Sequence, residues 1–313
     1  MECIRGLYNV RPRHRGAVVT IGNFDGFHRG HRQLVGLLKA RARTHDAPSL
    51  VMLFEPQPRE YFARGEARIR LMRLSAKLAS LAEAGVDYAM VLRFDARLAT
   101  LPAPDFIENI LVGALGARGL IIGDDFRFGA GRAGDFAMLK AAGGRHGFFV
   151  ESTGTLSETG HRVSSTRLRQ ALACGDMREA ERLIGAPYHY AGRVVAGDAR
   201  GRLLGFPTAN ILMPDPPPVA GVFAVTARTQ DGRVYAGIAN AGRRPTVGGG
   251  RVWLEVHLLD FAGDLYGQRL QVGFLERLRE EQRFPSLEAL TAQISRDRAC
   301  AHTFFASRGM MGS

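Results

Sequence analysis

Cysteine is scarce in this sequence of 313 residues, which contains only Cys3, Cys174 and Cys300. The three lie far apart and form no Cys-x-x-Cys pair, so the sequence predicts neither a structural zinc site nor a disulfide framework. Long apolar runs are also missing: there is no stretch of about 18 uncharged apolar residues, and the segment MECIRGLYNVRPRHRG lacks the apolar core of a signal peptide. These absences predict a protein of the reducing cytoplasm.

Acidic residues are outnumbered, with 30 Asp and Glu against 42 Lys and Arg, and the formal net charge is +12. This balance is compatible with nucleic-acid binding. However, the sequence has no run of about five like charges and no recognised nucleic-acid-binding motif. Diffuse positive charge suits small anionic substrates equally well. We therefore predict small-molecule partners, no nucleic acid, no membrane and a monomer or weak homo-oligomer; a nucleic-acid-binding protein with a degenerate nucleotide pocket is the alternative.

The first part of the chain, residues 1–186, alternates short apolar runs with helical patterns. The apolar runs predict strands at residues 17–21, 49–54, 88–94, 119–123 and 147–152. Helices are predicted at residues 31–43 and 74–84, and a third is predicted to begin at Pro104. This alternation predicts an α/β fold with a doubly wound parallel sheet.

Unusual polar loops follow four of the predicted strands. They are GNFDGFHRGH after the first strand, EPQP after the second, GDDFRFGAGRAGD after the fourth and SSTRLRQAL shortly after the fifth. In open parallel sheets, ligands bind beyond the carboxyl ends of the strands. The four loops therefore outline one predicted site.

The second part, residues 187–313, has a different pattern. Period-2 segments such as GVFAVTA, VYAGIAN, VWLEVHLLDF and RLQVGFL are separated by Gly, Pro and Asp turns, which predicts a small antiparallel β-barrel. In WLEVHLL the alternation places Trp253, Glu255 and His257 on one face of a strand. A closing helix is predicted to begin after Ser286, whose hydroxyl can cap it.

The segment GNFDGFHRGH, at residues 22–31, contains two histidines three residues apart. A zinc site would need a third protein ligand, for which Asp25 is the nearest candidate. Two buried structural histidines are another interpretation. A strand, a glycine-rich loop and a helix N-terminus together form a phosphate-binding arrangement, because backbone amides and the helix dipole point at the anion. We favour this phosphate cradle, with His28 and His31 as additional N–H donors.

The wider pattern resembles a known family. HRGH matches the HxGH element of the nucleotidyltransferases, and SSTRLR resembles their ISSTxxR element. GNFDGFHRGH, FEPQPREYF, GDDFRFGAGRAGDF and SSTRLRQAL are similar, in the same order, to the adenylyltransferase half of the prokaryotic bifunctional riboflavin kinase/FAD synthetases. In that family, ATP lies across the HxGH loop and the phosphate of FMN attacks its α-phosphorus. That phosphate is ionised near neutral pH, so catalysis needs alignment and charge neutralisation rather than a general base.

The resemblance implies roles for the matching residues. His28, His31 and Arg169 would be catalytic. The ATP-binding residues of this half would be Gly22, Asn23, Phe24, His28, His31, Ser165, Thr166 and Arg169. The flavin-binding residues would be Phe54, Pro56, Pro58, Asp125 and Phe128. Core packing is the alternative for Phe54 and Phe128, and whether Asp124 or Asp125 meets the flavin stays open.

The second half has no P-loop motif. Its segments GRLLGFPTANI, GVFAV, GIANAGRRPT, WLEVHLLDF and LREEQRFPSLEAL resemble the riboflavin kinase domain throughout. The resemblance implies that Thr208 and Asn210 bind the metal and ATP, with Gly205 and Pro207 beside them, and that Glu255 is the catalytic glutamate. An alcohol is a poor nucleophile, so a carboxylate that accepts its proton suits this reaction. A capped turn at Thr208–Asn210 and a solvated Glu255 are the alternatives.

The sequence thus predicts two sequential enzymes in one chain. Residues 187–313 would phosphorylate riboflavin to FMN with ATP, and residues 1–186 would adenylylate FMN with ATP, giving FAD and pyrophosphate. Mg²⁺ is the expected cofactor, while ATP, riboflavin, FMN and FAD are substrates or products. The alternative is a chain that retains one activity and uses its other half as a binding module.

Overall fold

The computed structural model describes residues 1–63, 69–123, 125–154, 157–158, 161–197, 205–214, 216–243 and 251–310. Asp124, one of the two aspartates considered for the flavin, lies outside these residues. The chain divides into two compact units. The first, the sheet unit, comprises Met1–Arg68 and Met72–Ser165, and the second, the barrel unit, comprises Ile69–Leu71 and Thr166–Ser313.

The sheet unit is built on a parallel sheet of six strands. They are β1 (Glu2–Arg5), β2 (Val18–Ile21), β3 (Ser49–Glu55), β4 (Tyr88–Arg93), β5 (Gly119–Ile122) and β6 (Phe149–Ser152). Their order across the sheet is β1-β4-β3-β2-β5-β6, and every neighbouring pair is parallel. The structure confirms the five predicted strands. The sequence analysis missed β1, an edge strand in which only Ile4 is buried.

Helices connect these strands. They are α1 (Arg29–Thr44), α2 (Pro58–Phe62), α3 (Leu74–Glu83), α4 (Ala96–Ala99), α5 (Ala103–Asp105), a π-helix that continues α5 over Phe106–Ala114, and α6 (Phe136–His146). Short 3₁₀ turns cover Leu7–Asn9, Pro12–His14 and Ala130–Arg132. The two-residue strands β7 (Ser157–Glu158) and β8 (His161–Arg162) form an antiparallel pair. The predicted helices near residues 31–43 and 74–84 are confirmed as α1 and α3.

The sheet is buried on both faces. On one face, alternate strand residues such as Val19, Leu50 and Met90 pack with Phe106 and Leu139, which belong to the π-helix and α6. The residues between them on the strands point to the opposite face, where α1 packs against β2, β3 and β5. Burial on both faces is typical of a doubly wound sheet.

The strand order identifies the part of the sheet where a ligand would bind. From β2 the chain runs outward to β3 and β4, and it then returns to place β5 on the other side of β2, while β1, which precedes β2 in the chain, occupies the edge next to β4. This reversal beside β2 is a topological switch point, where neighbouring loops diverge and leave a crevice. The loop that follows β2 is the segment with the two histidines.

Two helices precede the barrel. They are α7 (Ser165–Ala173), which starts at the division between the units, and α8 (Met177–Ile184). The buried face of α8 packs against the first and last strands of the barrel, β9 (Tyr188–Val195) and β14 (Arg269–Arg279). The predicted domain boundary after residue 186 falls between α8 and β9, and it stays a prediction about where the two activities separate.

Six antiparallel strands close into the predicted barrel. The remaining four are β10 (Ala209–Leu212), β11 (Gly221–Arg228), β12 (Val234–Arg243) and β13 (Val252–Leu258). The strand order is β10-β13-β12-β11-β14-β9. The closing helix α9 (Leu287–Ser307) packs against β12 and β14 and buries Phe305. Its predicted cap is confirmed, since Ser286 Oγ accepts a hydrogen bond from the backbone N–H of Ala289 at 3.2 Å.

Candidate active sites

The two histidines of the sheet unit lie at the start of α1, directly after the loop that follows β2. His28 is the N-cap residue, and its Nδ1 accepts a hydrogen bond from the backbone N–H of His31 at 3.4 Å. The Nε2 position is thereby left as the donor of the His28 ring. The two imidazole rings stack with their centroids 3.7 Å apart. A Cβ at Gly30 would stand 3.3 Å from the His28 ring, so a glycine fits closely here.

The residues just before the histidines hold the start of the loop. The backbone N–H of Gly22 donates to the carbonyl of Met52 on β3 at 3.1 Å. Phe24 is buried, and its ring centroid lies 4.9 Å from that of His31. Asn23 is half-buried between them. The three residues predicted to lie beside the nucleotide therefore belong to the same loop as the histidines.

The first turn of α1 has an unusual charge. It contains Arg29 and Arg32 and no acidic residue. A helix N-terminus carries a partial positive charge and is stabilised by anions, so two cations there are unfavourable without one. A phosphate group would relieve this repulsion and accept hydrogen bonds from the backbone amides. The electrostatics of this turn fit the predicted phosphate cradle.

Burial shifts the protonation of His31. It holds the pKa of this imidazole well below the ordinary value of 6.5, and electrostatic interactions with His28 and Lys77 lower that pKa further. The ring is therefore neutral near pH 7 and provides one N–H donor. Its Nδ1 atom is buried without a hydrogen-bond partner in the part of the chain that the structure describes. Neutral His31 can thus donate to an anion without becoming a cation itself.

We expect the free energy of unfolding to fall as the pH drops below about 6.5, because His31 is neutral when folded and takes up a proton on unfolding. The contribution of His31 to the free energy of unfolding is present above pH 6.5, and it is lost as the pH falls toward the lower pKa that His31 has in the folded protein. His31→Gln should reduce the slope of stability against pH, measured by urea unfolding between about pH 7.5 and 5.5. His146→Gln, which alters an exposed histidine paired with Glu108, is the control. An unchanged slope in His31→Gln would contradict this account.

Asp25, the nearest third ligand for a zinc site, is engaged by other groups. Its Oδ1 accepts a hydrogen bond from the backbone N–H of Met72 at 3.0 Å and lies 3.6 Å from Nζ of Lys77. The side chains of Lys77 and Asp25 are only 3% and 2% exposed. The carboxylate is therefore neutralised by a buried ammonium group, a pairing that the sequence analysis missed.

Aromatic side chains gather where the flavin is predicted to bind. Phe54, near the end of β3, meets the ring of Phe94 edge-on at 5.8 Å, and Tyr61 and Phe62 of α2 contact the same ring. Phe62 is 61% exposed, although a large apolar side chain gains from burial. Phe54 thus lies in an aromatic cluster with three residues that the sequence analysis had not selected, Tyr61, Phe62 and Phe94.

Two of the other predicted flavin residues, Pro56 and Pro58, lie in the short segment from β3 into α2. Pro56 directly follows β3, and Pro58 is the first residue of α2. Proline suits this first helical position, because its fixed φ is helical and its missing N–H would have no helical partner. The two prolines thus lie in the segment that connects Phe54 on β3 with the exposed aromatic side chains of α2.

Phe128 and Asp125 follow β5 and differ in environment. Phe128 is 7% exposed and stacks on Phe126 with centroids 5.6 Å apart, within the core of the sheet unit. Asp125 is exposed and forms an ion pair with Arg162 at 2.9 Å. The hydrogen bond from Arg162 lowers the pKa of Asp125, so this carboxylate is ionised near neutral pH. Packing in the core therefore explains the burial of Phe128 in part, and its contact with the flavin stays a prediction.

The segment SSTRLRQAL forms the start of α7. Ser165 Oγ donates to the backbone carbonyl of Asp25 at 2.8 Å, which joins this segment to the loop of the histidines. Thr166 and Arg169 belong to the barrel unit, where Nε of Arg169 donates to the carbonyl of Ile69 at 2.7 Å. The predicted contact of these two residues with the phosphates of ATP stays a prediction.

Three polar residues form a row across three neighbouring strands of the barrel. Asn210 on β10 is the register partner of Glu255 on β13, and Glu255 is also the register partner of Asn240 on β12. Side chains directly opposite each other on antiparallel strands share one face. Asn210, Glu255 and Asn240 therefore lie side by side, and Asn240 is the member that the sequence analysis did not select.

The predicted faces of β13 are confirmed. Leu254 and Val256 are fully buried, whereas Trp253, Glu255 and His257 are half-buried on the opposite face. Such alternation is expected when one face of a strand meets the barrel interior and the other is partly solvated.

The segment GFPTAN is held against this polar face. Nδ2 of Asn210 donates to the carbonyl of Thr208 at 3.3 Å, and Nδ1 of His257 lies 2.9 Å from the carbonyl of Pro207. Gly205 has a φ of +81°, which favours glycine, and it begins the turn. The segment therefore brings Thr208 and Asn210 to the face that carries Glu255.

A second carboxylate reaches the same face. A Cβ at Gly242 would collide with the carboxylate of Glu281, so Glu281 occupies the surface that this glycine leaves open. Gly242 is the register partner of Trp253 and lies two residues from Asn240, on the same side of β12. Burial and the charge of Glu255 raise the pKa of Glu281. Glu255 therefore lies in an acidic environment close to Asn240.

Both halves of the chain match known protein families. Residues 10–167 match the FAD synthetase family, and residues 184–305 match the riboflavin kinase family. A protein of Escherichia coli (strain K12) described as a bifunctional riboflavin kinase/FMN adenylyltransferase is 52% identical, over 97% of this chain and 98% of its own length. A Pseudomonas fluorescens protein of the same description is 50% identical, over 98% of both chains.

A solved structure has a similar fold. A Streptococcus pneumoniae protein described as a macrolide-efflux protein superposes with a TM-score of 0.83 and 29% identity, covering 96% of this chain and 99% of that one. The likeness shows that the two chains share a fold over nearly their whole lengths, while that description concerns the pneumococcal protein alone. Among the residues that the structure describes, no helix combines the length and the apolarity needed to cross a membrane.

Proposed function

Because the chain belongs to the family of bifunctional riboflavin kinase/FMN adenylyltransferases, we propose how its residues divide the two reactions. The protein phosphorylates riboflavin to FMN and then adenylylates FMN to FAD. We assign the kinase to residues 187–313 and the adenylyltransferase to residues 1–186. The observation that carries this assignment is the order of the two matched families, with one polar site in the region that each of them covers.

In adenylyl transfer, a phosphate oxygen of FMN attacks the α-phosphorus of ATP and pyrophosphate leaves. The attacking phosphate is already ionised near neutral pH, so this chain needs no general base there. We assign His28 and His31 as N–H donors to the phosphates of ATP, and Ser165, Thr166 and Arg169 as their other contacts. The neutral state of His31 and the positive first turn of α1 support this role.

The same proposal places the nucleotide and the flavin. Gly22, Asn23 and Phe24 lie beside the nucleotide in this assignment, because they form the loop that leads to the histidines. Phe54, Pro56, Pro58 and Phe128 contact the isoalloxazine ring, and Asp125 accepts a hydrogen bond from it. The exposed aromatic side chains near Phe54 support a planar ligand at this end of β3.

In the kinase reaction, the terminal ribityl hydroxyl attacks the γ-phosphorus of ATP and ADP leaves. We assign Glu255 as the base that takes the proton of that hydroxyl. The row formed by Asn210, Glu255 and Asn240 supports this assignment, because it places amide groups on both sides of the carboxylate. Gly205 and Pro207 would shape the turn that faces ATP.

The oxygen atoms that Thr208 and Asn210 offer beside Glu255 are suitable ligands for a magnesium ion. Mg²⁺ prefers hard oxygen ligands and usually binds with few protein ligands together with phosphate oxygens. Thr208 offers a hydroxyl oxygen and Asn210 an amide oxygen, since the hydrogen bond of Asn210 to Thr208 uses the amide nitrogen. When bound, magnesium neutralises charge on the β- and γ-phosphates of ATP. We propose Thr208 and Asn210 as its protein ligands.

The direct test is to follow products over time. Purified protein with riboflavin, ATP and Mg²⁺ should form FMN first and FAD later, resolved by chromatography. A reaction that stops at FMN, or that makes FAD only from added FMN, would contradict the presence of two activities.

We also expect the two halves to work separately. A fragment of residues 187–313 should fold and phosphorylate riboflavin, because the barrel buries its own core. A longer fragment of residues 176–313 should have a higher melting temperature, because α8 packs against β9 and β14. Thermal unfolding and kinase assays of both fragments test this. If residues 187–313 were unfolded or inactive, the proposed boundary after residue 186 would be wrong.

We place both reactions in the cytoplasm. All three cysteines are free and exposed, which suits a compartment that keeps thiols reduced. Small anionic substrates account for the positive net charge in this proposal.

A further inference from the structure

The backbone around Asp25 is strained. Phe24 and Phe27 have φ values of +48° and +34°, and Gly26 between them has +85°. Glycine adopts this left-handed region freely, whereas a bulky L-residue does so rarely and at an energetic cost. Such conformations persist only where surrounding contacts hold them, and they concentrate at functional sites. The strained segment ends one residue before His28, so it sets the direction from which the chain enters α1.

Asp25 supplies the contacts that hold this segment. Its carboxylate accepts the N–H of Met72 and lies beside the ammonium of Lys77 on α3, while its backbone carbonyl accepts the hydroxyl of Ser165. The loop is therefore tied to two separate parts of the sheet unit. Because the strained residues lie within two positions of Asp25, loss of these contacts would allow Phe24 and Phe27 to relax.

Burial of the charged side chain of Lys77 costs free energy. Lysine is almost never fully buried unless it is paired, and its side chain here is 3% exposed. The hydrogen bond from Met72 could hold a neutral asparagine at position 25 equally well. The buried ammonium therefore calls for a role beyond that of filling space.

The charge of Lys77 also reaches the histidines. The titratable groups that act on His31 are His28 on the same helix and Lys77 on α3. Lys77 is itself paired with Asp25, and Arg32 of α1 lies over the ring of Phe27 at 5.2 Å. A fixed cation near the stacked rings disfavours a second positive charge on them and attracts an anion that binds to their N–H groups.

We propose that Lys77 and Asp25 are positioning residues for adenylyl transfer, which fix the strained loop so that His28 and His31 meet the phosphates of ATP as a preformed pair. The inference rests on the proposed role of the two histidines. The buried ion pair holds the loop in its bound shape before ATP arrives, so the ordering of the loop does not oppose binding. The ammonium adds to the effect of burial, which keeps His31 neutral, and contributes positive potential at the phosphate site.

The test uses a double variant, Asp25→Asn with Lys77→Met. It removes both charges, leaves no unpaired buried ion and keeps an oxygen that can accept the N–H of Met72. We expect kcat/KM for FAD formation to fall about 10–100-fold, since small displacements of catalytic groups cost this much. Riboflavin phosphorylation should be unchanged. Lys77→Arg keeps the charge and should retain more FAD formation than Lys77→Met.

The second readout is the titration of His31, followed by nitrogen NMR of its side chain. In the unaltered protein the pKa of the ring should lie well below 6.5, and in the double variant it should move toward 6.5. Lys39→Met is the matched control, because Nζ of Lys39 donates to the carbonyl of Ala84 at 2.6 Å in the same unit. That variant should leave FAD formation and the titration unchanged.

The outcomes separate the two levels of the proposal. If His31→Ala formed FAD normally, the role of the histidines would be wrong. If His31→Ala lost FAD formation while the double variant kept both FAD formation and the His31 titration, only the role of Lys77 and Asp25 would be wrong. Should Lys77→Met alone fail to fold, the double variant and Lys77→Arg still decide the question, because neither leaves a buried charge unpaired.

Discussion

His31→Ala is expected to accumulate FMN from riboflavin and to form FAD about 10²–10³-fold more slowly, the usual cost of losing a donor that stabilises developing charge. The phosphate nucleophile needs no base, so charge stabilisation and alignment account for the catalysis, and the variant removes one of the stacked donors. FMN formation should continue, because the residues proposed for the kinase lie in the barrel unit. Chromatography of riboflavin, FMN and FAD over time measures both effects in one reaction.

The control for this variant is His146→Ala, which removes a surface histidine paired with Glu108 in the same unit. It should form FAD at the normal rate. The His31 ring stacks on His28 and packs beside Phe24, so its loss leaves space in this cluster, and thermal unfolding must show that the sheet unit of His31→Ala is folded at the assay temperature. A folded variant with a normal yield of FAD would remove His31 from the catalytic assignment.

Much of the fold could be predicted because strong local signals mark it. The interior strands of the sheet are mostly apolar, and Ser286 marks the start of α9 through a local capping bond. The edge strand β1 could not be found in this way, since three of its four residues are exposed and only Ile4 is buried. It forms because β4 offers an open edge, which is a long-range property.

The candidate sites show the same difference between local signals, which the sequence contains, and long-range contacts, which it does not reveal. The two histidines share a short segment with a glycine-rich loop, so one stretch of sequence reveals them. The pairing of Asp25 with Lys77 joins a loop to a distant helix, and a lysine in a helix ordinarily indicates a solvated face. Periodicity placed Glu255 on the correct face of β13, but its neighbour Asn240 depends on the register between strands. Alternation within a single strand does not contain that register.

Glu255→Gln is expected to slow riboflavin phosphorylation by about 10²–10⁴-fold, the range for losing a general base. Glutamine keeps the size and the hydrogen-bonding oxygen but cannot take the proton of the ribityl hydroxyl. The affinity for ATP–Mg²⁺ should change little, because Thr208 and Asn210 carry that role in the proposed site. FAD formation from supplied FMN should persist, since its nucleophile needs no base.

Comparison with Thr208→Ala separates the mechanism of Glu255 from its location. Thr208→Ala should weaken the binding of ATP–Mg²⁺ itself, measured by calorimetry, whereas Glu255→Gln should lower turnover at saturating substrate. Glu276→Gln on β14, where the carboxylate lies 3.6 Å from Arg178, is the matched control and should leave both quantities unchanged. If Glu255→Gln lost nucleotide affinity but kept its turnover at saturation, Glu255 would be a ligand of the metal–nucleotide complex. The raised pKa of Glu281 on the same polar face would then make Glu281 the next carboxylate to test as the base.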